Sequence, residues 1–309
     1  MSLKHILVAT DLSTVALLSL PWAAGLARAT GARITVVYID DVAHSLKGDD
    51  FEEEVKEVQE HLGIFRDALD MLDVSCDIRV LSGKSTEVLE RLSGRGEYDL
   101  VVMTRHGERA TGLLVGSTTL HLARTCQVPL LVIHAPATDD PSTDQTTIAI
   151  RDVVTTTDYS DASAAGIKAL LPLMRALSAN LHIVHVVTAA GAVIDVNAPT
   201  LTLPSAPLPA REQVRTMETR LASFADALPY DRISTQVVCT EVAADGIVAA
   251  ALVREADVIA ISSHGKGKIA SILLGSTSRR VLTLSPLPVL VLRPDSISGA
   301  AWTEPSPDA

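Results

Sequence analysis

Apolar runs and amphipathic segments alternate along the chain and predict its secondary structure. Five Val-, Ile- and Leu-rich runs in the first half predict β-strands near residues 4–9, 33–39, 76–82, 99–104 and 129–134. These runs are continuously apolar, which is typical of parallel strands buried on both faces. The segments between them predict helices near residues 14–30, 50–73, 85–95 and 117–126.

The second half of the chain repeats the first. Its strands are expected near residues 151–156, 181–187, 233–239, 257–262 and 288–293. Matching segments recur in the same order: KHILVATD with RDVVTTTD, YDLVVMTRHG with ADVIAISSHG, and VPLLVIHAP with LPVLVLRPD. Such self-similarity indicates a tandem duplication. We therefore predict one unit over residues 1–138, a second over 148–295 and a flexible tail over 296–309.

Strands that alternate with helices predict an α/β fold. We expect two tandem doubly wound domains, each with a five-stranded parallel sheet flanked by helices. The last strand of each copy, at 129–134 and 288–293, should lie at a sheet edge, and an edge strand needs a partner. We expect these two strands to pair and to form an intramolecular pseudo-dimer, while a further homodimer stays open.

Composition excludes several classes of protein. The chain has 309 residues, of which 47% are hydrophobic and 20% charged, as in a folded globular protein. Its net charge of −11 argues against non-specific binding to nucleic acid or to an anionic membrane. No apolar run reaches the roughly 20 residues of a membrane span. The three cysteines form no CxxC pair and no signal peptide is evident, so we expect a cytoplasmic protein.

Candidate chemistry follows the fourth strand of the second copy. Open α/β sheets bind ligands beyond the carboxyl ends of their strands. Residues 258–294 contain five basic residues and no acidic one. Glycines let a polyphosphate approach the backbone, and a Gly-Ser-Thr helix start offers N–H groups and hydroxyls. The predicted phosphate-binding residues are Ser262, His264, Gly265, Gly267, Lys268, Gly275, Ser276 and Thr277. The alternative is a plain glycine loop in which Ser276 only caps a helix.

The first copy carries a weaker version of this segment. Gly107 and Gly116 are separated by eight residues, and Ser117 and Thr118 follow. Glu108 lies inside this loop and would repel a phosphate. If only one copy binds, we expect it to be the second.

These motifs resemble those of tandem universal stress proteins. The resemblance rests on the ATD and TTD ends of the first strands, on the HG…GS spacing and on the closing strands. The family's nucleotide-binding pattern is glycine, two residues, glycine, nine residues, glycine, then Ser or Thr. Gly265, Gly275 and Ser276 match it, whereas Ser262 and Thr104 stand where the family has its leading glycine.

The resemblance implies an adenine-nucleotide alpha-hydrolase-like fold and a set of ligand contacts. In ATP-binding members the first-strand aspartate contacts ribose or base, which implies Asp158 and Asp11 here. A second-strand apolar residue contacts adenine through its backbone, which implies Val186 and Ile39. The alternative for both aspartates is a turn or helix cap, a reading that stays open at this point.

The implied function is that of a non-catalytic stress-response regulator that binds ATP, ADP or AMP, with or without Mg²⁺, mainly in the second unit. One alternative is an enzyme, at most a slow ATP hydrolase or nucleotide phosphohydrolase. Another is an interaction scaffold that needs no ligand. We identify no metal-ligand spacing, no Ser-His-Asp order and no nucleophile elbow along the chain.

Overall fold

The computed structural model describes residues 3–41, 49–72, 74, 76–105, 116–134, 148–188, 211–263 and 274–293. The strands are β1 (His5–Thr10), β2 (Arg33–Asp40), β3 (Cys76–Ser82), β4 (Leu100–Arg105), β5 (Leu130–His134), β6 (Asp152–Thr156), β7 (Asn180–Thr188), β8 (Ile233–Thr240), β9 (Val258–Ser262) and β10 (Val289–Leu292). The helices are α1 (Ser19–Thr30), α2 (Asp49–Met71), α3 (Ser85–Ser93), α4 (Ser117–Thr125), α5 (Asp161–Leu177), α6 (Arg211–Asp226), α7 (Ala243–Val253) and α8 (Ser276–Leu284), and a 3₁₀ helix spans Val15–Leu18.

All ten strands form one sheet in the order β3-β2-β1-β4-β5-β10-β9-β6-β7-β8. Within each half the strands are parallel, and helices lie between successive strands, so the predicted α/β fold is confirmed. The two halves meet at β5 and β10, which pair antiparallel with Leu131 opposite Leu290. The halves therefore share one continuous sheet.

Two apolar layers cover the sheet. Alternate side chains of each strand enter opposite layers, as Val8 and its neighbour Leu7 do in β1. One layer contains residues of α1, α2, α5 and α6, and the other contains residues of α3, α4, α7 and α8. Both layers run through both halves of the chain. Burial on two faces explains why the inner strands are almost wholly apolar.

Three expectations fall wholly or partly outside the described residues. The tail over 296–309 lies outside them, and so does the segment in which the first unit was predicted to end. The boundaries of the two units, 1–138 and 148–295, therefore stay predictions.

The helix predicted near 14–30 is divided into the 3₁₀ helix and α1. None of the helices in the described stretches is both long and apolar enough to span a membrane.

Candidate functional site

The strand order places one crevice in each half. In the second half, β6 lies between β9 and β7, so the chain winds away from β6 in both directions. β6 and β9 are in register from Val153 opposite Val258 to Thr155 opposite Ala260, so their carboxyl ends lie side by side. Such a switch point is where open α/β sheets bind ligands. β1 and β4 form the equivalent point in the first half.

The loop after β6 is a tight turn built around Asp158. The backbone N–H and the hydroxyl of Ser160 both donate to Asp158 Oδ1. Ser160 Oγ in turn accepts the N–H of Ser163 at 3.2 Å and caps α5. Tyr159, between them, has a positive φ of 60°. The turn reading of this aspartate is therefore correct, and the turn holds the carboxylate at the crevice.

The first half repeats this turn. Asp11 Oδ1 accepts the N–H of Ser13 at 3.1 Å and its hydroxyl at 2.8 Å. Ser13 Oγ accepts the N–H of Ala16 at 3.2 Å, and Leu12 has a positive φ of 64°. Both aspartates thus have a local structural role. A contact of either with ribose or base stays a prediction.

Two hydrogen bonds tie the start of α8 to the end of β9. Gly275 N–H donates to the Ser263 carbonyl at 3.1 Å. Ser278 Oγ donates to the Ser262 carbonyl at 2.9 Å. The hydroxyl of Ser262 faces α5, where a Cβ on Gly166 would lie 2.4 Å from it. The Ser262 side chain therefore packs against a helix, while its backbone holds the start of α8.

Among the described residues, no side chain caps the start of α4 or α8. Their N-cap residues are Gly116 and Gly275, while Ser117 and Ser276 are already the first helical residues. Ser276 is therefore not the N-cap residue, while the glycine loop of that alternative lies outside the described residues. The first N–H groups of a helix have no partner within it. Ser276 and Thr277 are exposed, so this end of α8 is open to solvent.

The backbone of neither N-cap requires a glycine. Gly116 and Gly275 have φ of −55° and −58°, which any residue adopts. Among the described residues, the nearest atoms to an added Cβ lie 3.9 Å away at Gly116 and 3.8 Å away at Gly275. These glycines therefore leave space beside a helix N-terminus that the described chain does not fill.

The second strand of each half runs past its first-strand neighbour. β7 pairs with β6 only as far as Val184 opposite Thr156, but continues its pairing with β8 through Val186. Ile39 of β2 is likewise beyond the pairing with β1, which ends at Tyr38. The side chains of Ile39 and Val186 pack in the core, so only their backbones face this gap.

The remaining predicted residues divide into two groups. Gly107, His264, Gly265, Gly267 and Lys268 lie outside the described residues. The others lie at the carboxyl end of the sheet, with Asp158, Val186, Ser262, Gly275, Ser276 and Thr277 in the second half and Asp11, Ile39, Gly116, Ser117 and Thr118 in the first. In the part of the chain that the structure covers, no three His, Cys, Asp or Glu side chains form a metal-binding group.

An aromatic cluster beside the second crevice was not predicted from sequence. The ring centroids of Tyr159 and His185 are 4.6 Å apart. The Arg220 guanidinium carbon lies 4.1 Å from the centroid of the Tyr159 ring. His185 Nδ1 donates to the Thr157 carbonyl at 2.8 Å. Burial raises the pKa of Tyr159. The first half has Leu12 at this position, so the two crevices differ.

Comparisons with known proteins agree with this architecture. The model of the universal stress protein family matches residues 2–134 and 149–293. A universal stress protein of Mycobacterium tuberculosis H37Rv is 27% identical over 220 residues, which is 68% of this chain and 66% of that protein. A universal stress protein structure from Archaeoglobus fulgidus has a TM-score of 0.65 at 19% identity and covers 95% of this chain and 100% of its own.

Single-domain structures also match. One is of a universal stress protein in complex with cAMP, at 24% identity, a TM-score of 0.33, and coverage of 48% of this chain and 99% of its own. Another, from Archaeoglobus fulgidus, is in complex with dAMP and has a TM-score of 0.32, 16% identity and coverage of 47% and 99%. Since the family model matches both halves, this chain belongs to the universal stress protein family as a tandem member.

Proposed function

We propose that the protein is a stress-response regulator that binds an adenine nucleotide (ATP, ADP or AMP), mainly in its second half, without turning it over. The observation that carries this proposal is the start of α8. This helix N-terminus lies at the switch point of the sheet, no described side chain caps it, and Gly275 leaves space beside it that the described residues do not fill. Free N–H groups and the positive end of the helix dipole bind phosphate.

Charge favours the second site over the first. Residues 258–294 contain no acidic side chain, and α8 carries Arg279 and Arg280. Asp245 holds Arg280 through two hydrogen bonds of 2.9 and 3.1 Å, while Arg279 is exposed. The first site has Glu108 in its glycine loop, where it would repel a phosphate.

The rest of the crevice fits the other end of a nucleotide. Asp158 offers a carboxylate that is fixed by its turn, and hydroxyl or amine groups of ribose and base would donate to it. The backbone at Val186 lies along the open side of β7, where adenine would lie. Mg²⁺ would enter with the phosphate oxygens, which are the ligands it prefers. The phosphate segment has no carboxylate to deprotonate water, and none to orient His264 as a base, so we infer binding without hydrolysis.

We further infer that the tandem chain works as a fused dimer of two universal stress protein units. The antiparallel pairing of β5 with β10 supports this, because it joins the last strand of one unit to the last strand of the other. Both crevices open at the carboxyl ends of their own parallel strands.

Isothermal titration of nucleotide-free protein with ATP, ADP and AMP, with and without Mg²⁺, tests the proposal. We expect Gly275→Val to abolish the dominant binding event, because its side chain fills the space beside the α8 amides. Gly116→Val is the matched control at the first site and should leave that event intact.

Three outcomes would contradict the proposal. Undiminished binding by Gly275→Val would remove the assigned site. Phosphate release that is linear in protein and lost in Asp158→Ala would replace a regulator with a hydrolase. A melting temperature that no nucleotide raises would favour an interaction scaffold, because a ligand of the native state stabilises it.

A further inference from the structure

Three polar side chains form a relay at the end of the second half opposite to the crevice. Asp152, His182 and Ser234 lie near the amino-terminal ends of β6, β7 and β8, which are adjacent strands. His182 Nε2 is 2.9 Å from Asp152 Oδ1, and His182 Nδ1 is 2.6 Å from Ser234 Oγ. This is the hydrogen-bond order of a carboxylate, a base and a hydroxyl nucleophile.

The donors and acceptors assign the protons in this relay. Burial acts to raise the pKa of Asp152, but hydrogen bonds from Asn180 and His182 hold this pKa below its ordinary value. An ionised carboxylate only accepts, so His182 Nε2 carries the proton that it donates. His182 Nδ1 is then the acceptor, and the Ser234 hydroxyl donates to it. Asn180 Nδ2 also donates to Asp152 Oδ1 at 2.9 Å, which orients the carboxylate.

A guanidinium completes the arrangement. Arg254, at the end of α7, places Nη1 3.2 Å from Ser234 Oγ and 3.2 Å from His182 Nδ1. Its Nε donates to Gln236 Oε1 at 3.0 Å, which fixes the group in place. A fixed cationic donor beside a nucleophile is positioned to stabilise an oxyanion that forms there.

The fold itself does not require this relay. At the corresponding end of the first half, His5 Nε2 is 2.8 Å from Thr35 Oγ1, but His5 Nδ1 is 2.9 Å from the Glu97 carbonyl. In the part of the chain that the structure describes, the two ring nitrogens of His5 thus face a carbonyl and a hydroxyl, and neither is paired with a carboxylate. The unit thus folds with a different network, and the relay is a property of the second half.

The relay is also accessible. β8 is an edge strand of the ten-stranded sheet, and Ser234 is only partly buried. The side chains of His182 and Asp152 are 13% and 30% exposed. Leu252 and Val253, which directly precede Arg254, are 47% and 81% exposed. These two residues offer exposed apolar surface at the end of α7 for a short aliphatic acyl group.

We propose that Ser234, His182 and Asp152 hydrolyse short-chain carboxylic esters. Ser234 Oγ attacks the ester carbonyl while its proton passes to His182 Nδ1. Arg254 Nη1, which donates to Nδ1 and to Ser234 Oγ in the resting protein, turns from Nδ1 to the resulting oxyanion. The intermediate expels the alcohol, which takes that proton, and leaves an acyl ester on Ser234. Water then attacks this ester with His182 as base, which releases the acid and restores the serine. Asp152 holds the imidazole and its tautomer throughout.

Hydrolysis of p-nitrophenyl acetate and butyrate by the full chain tests the proposal. We expect a burst of p-nitrophenol, and we expect Ser234→Ala and His182→Gln to lower the rate by about 10²-fold or more. Thr235→Ala, one residue along β8 on its other face, should keep the full rate. A fluorophosphonate should add to Ser234, as mass spectrometry of the digested protein would detect.

Equal hydrolysis by wild type and Ser234→Ala would overturn the proposal, as would an adduct on another residue or no hydrolysis at all. Ser234→Ala removes only one oxygen atom. If its melting temperature equals that of the wild type, a lower rate of hydrolysis reflects the lost hydroxyl and not a loss of folding. The relay and the nucleotide crevice lie at opposite ends of the strands. The rate of ester hydrolysis should therefore be the same with and without ATP, so the two proposals fail separately.

Discussion

Gly25 marks a close approach of the two halves at the scale of a single residue. It lies inside α1, and a Cβ there would be 2.3 Å from the carbonyl oxygen of Ile148, at the start of the second half. A backbone carbonyl in this position cannot rotate away as a side chain can. Glycine inside a helix costs about 0.5–1 kcal/mol relative to alanine. Packing between the halves therefore explains a residue that helix propensity disfavours.

We predict that Gly25→Ala lowers the free energy of unfolding by about 1–3 kcal/mol, because the two backbones must separate to admit the methyl group. Urea unfolding followed by circular dichroism measures this. Gly63→Ala in α2 is the control, since nothing among the described residues lies within 4 Å of its added Cβ. That variant should be neutral or more stable. Equal stability of the two variants would contradict the close approach.

At the scale of elements, the helices that follow the first and fourth strands of the second half begin differently. The N-cap of α5 is Ser160, whose side chain accepts the N–H of Ser163. The N-cap of α8 is Gly275, which has no side chain to cap the helix. The chain thus satisfies the start of α5 itself, whereas no described side chain caps the start of α8, where a phosphate could bind.

Substitution of one serine at each helix start distinguishes these two roles. We predict that Ser160→Ala costs about 1 kcal/mol of stability, because the cap is lost. Ser276→Ala should change stability by less than about 0.5 kcal/mol, as exposed substitutions usually do. In thermal unfolding with ATP, however, Ser276→Ala should show the smaller ligand-induced rise. A loss of stability in Ser276→Ala without nucleotide would mean that α8 is capped by its own chain.

Local features of these elements were predictable, and long-range ones were not. The strand predicted near 99–104 matches β4. Every residue of β4 is buried, so the strand is a continuous apolar run up to Thr104 and Arg105, and such a run is visible in the sequence. The start of α8 was predictable because its glycine and serine are adjacent. The relay of Asp152, His182 and Ser234 was missed, since its members are separated by 30 and 52 residues. Only the register of three strands brings them together.

At the scale of the whole molecule, side chains from each half hold the last helix of the other. Arg105 donates to the carbonyls of Thr283 at 2.7 Å and Leu282 at 3.4 Å, at the end of α8. Arg293 donates to the Ala123 carbonyl of α4 at 3.0 Å. Cations are favourable at helix C-termini. α4 and α8 are also the helices whose starts form the two candidate phosphate sites, so the junction supports both crevices.

His134 adds a titratable group to this junction. Its Nδ1 lies 2.6 Å from the Leu287 carbonyl and its Nε2 lies 3.2 Å from the Leu282 carbonyl. Burial, followed by the nearby Arg105 guanidinium, lowers the pKa of His134 to about 4, although both carbonyls act to raise it. The folded protein therefore holds a neutral imidazole, whose single N–H donates at the shorter contact, to Leu287.

We predict that His134 makes the junction less stable in acid. Its pKa in the unfolded chain is near the ordinary 6.5, so between pH 6.5 and about 4 the unfolded state binds more protons. As the pH decreases through that window, the free energy of unfolding therefore decreases, by up to about 3 kcal/mol from this one residue. Urea unfolding at pH 7 and pH 4.5 should show a smaller loss for His134→Gln than for wild type. His121, which is half-exposed beside Glu90 in the first half, provides the control His121→Gln. An equal acid loss in wild type and His134→Gln would mean that other groups of the molecule set its pH dependence.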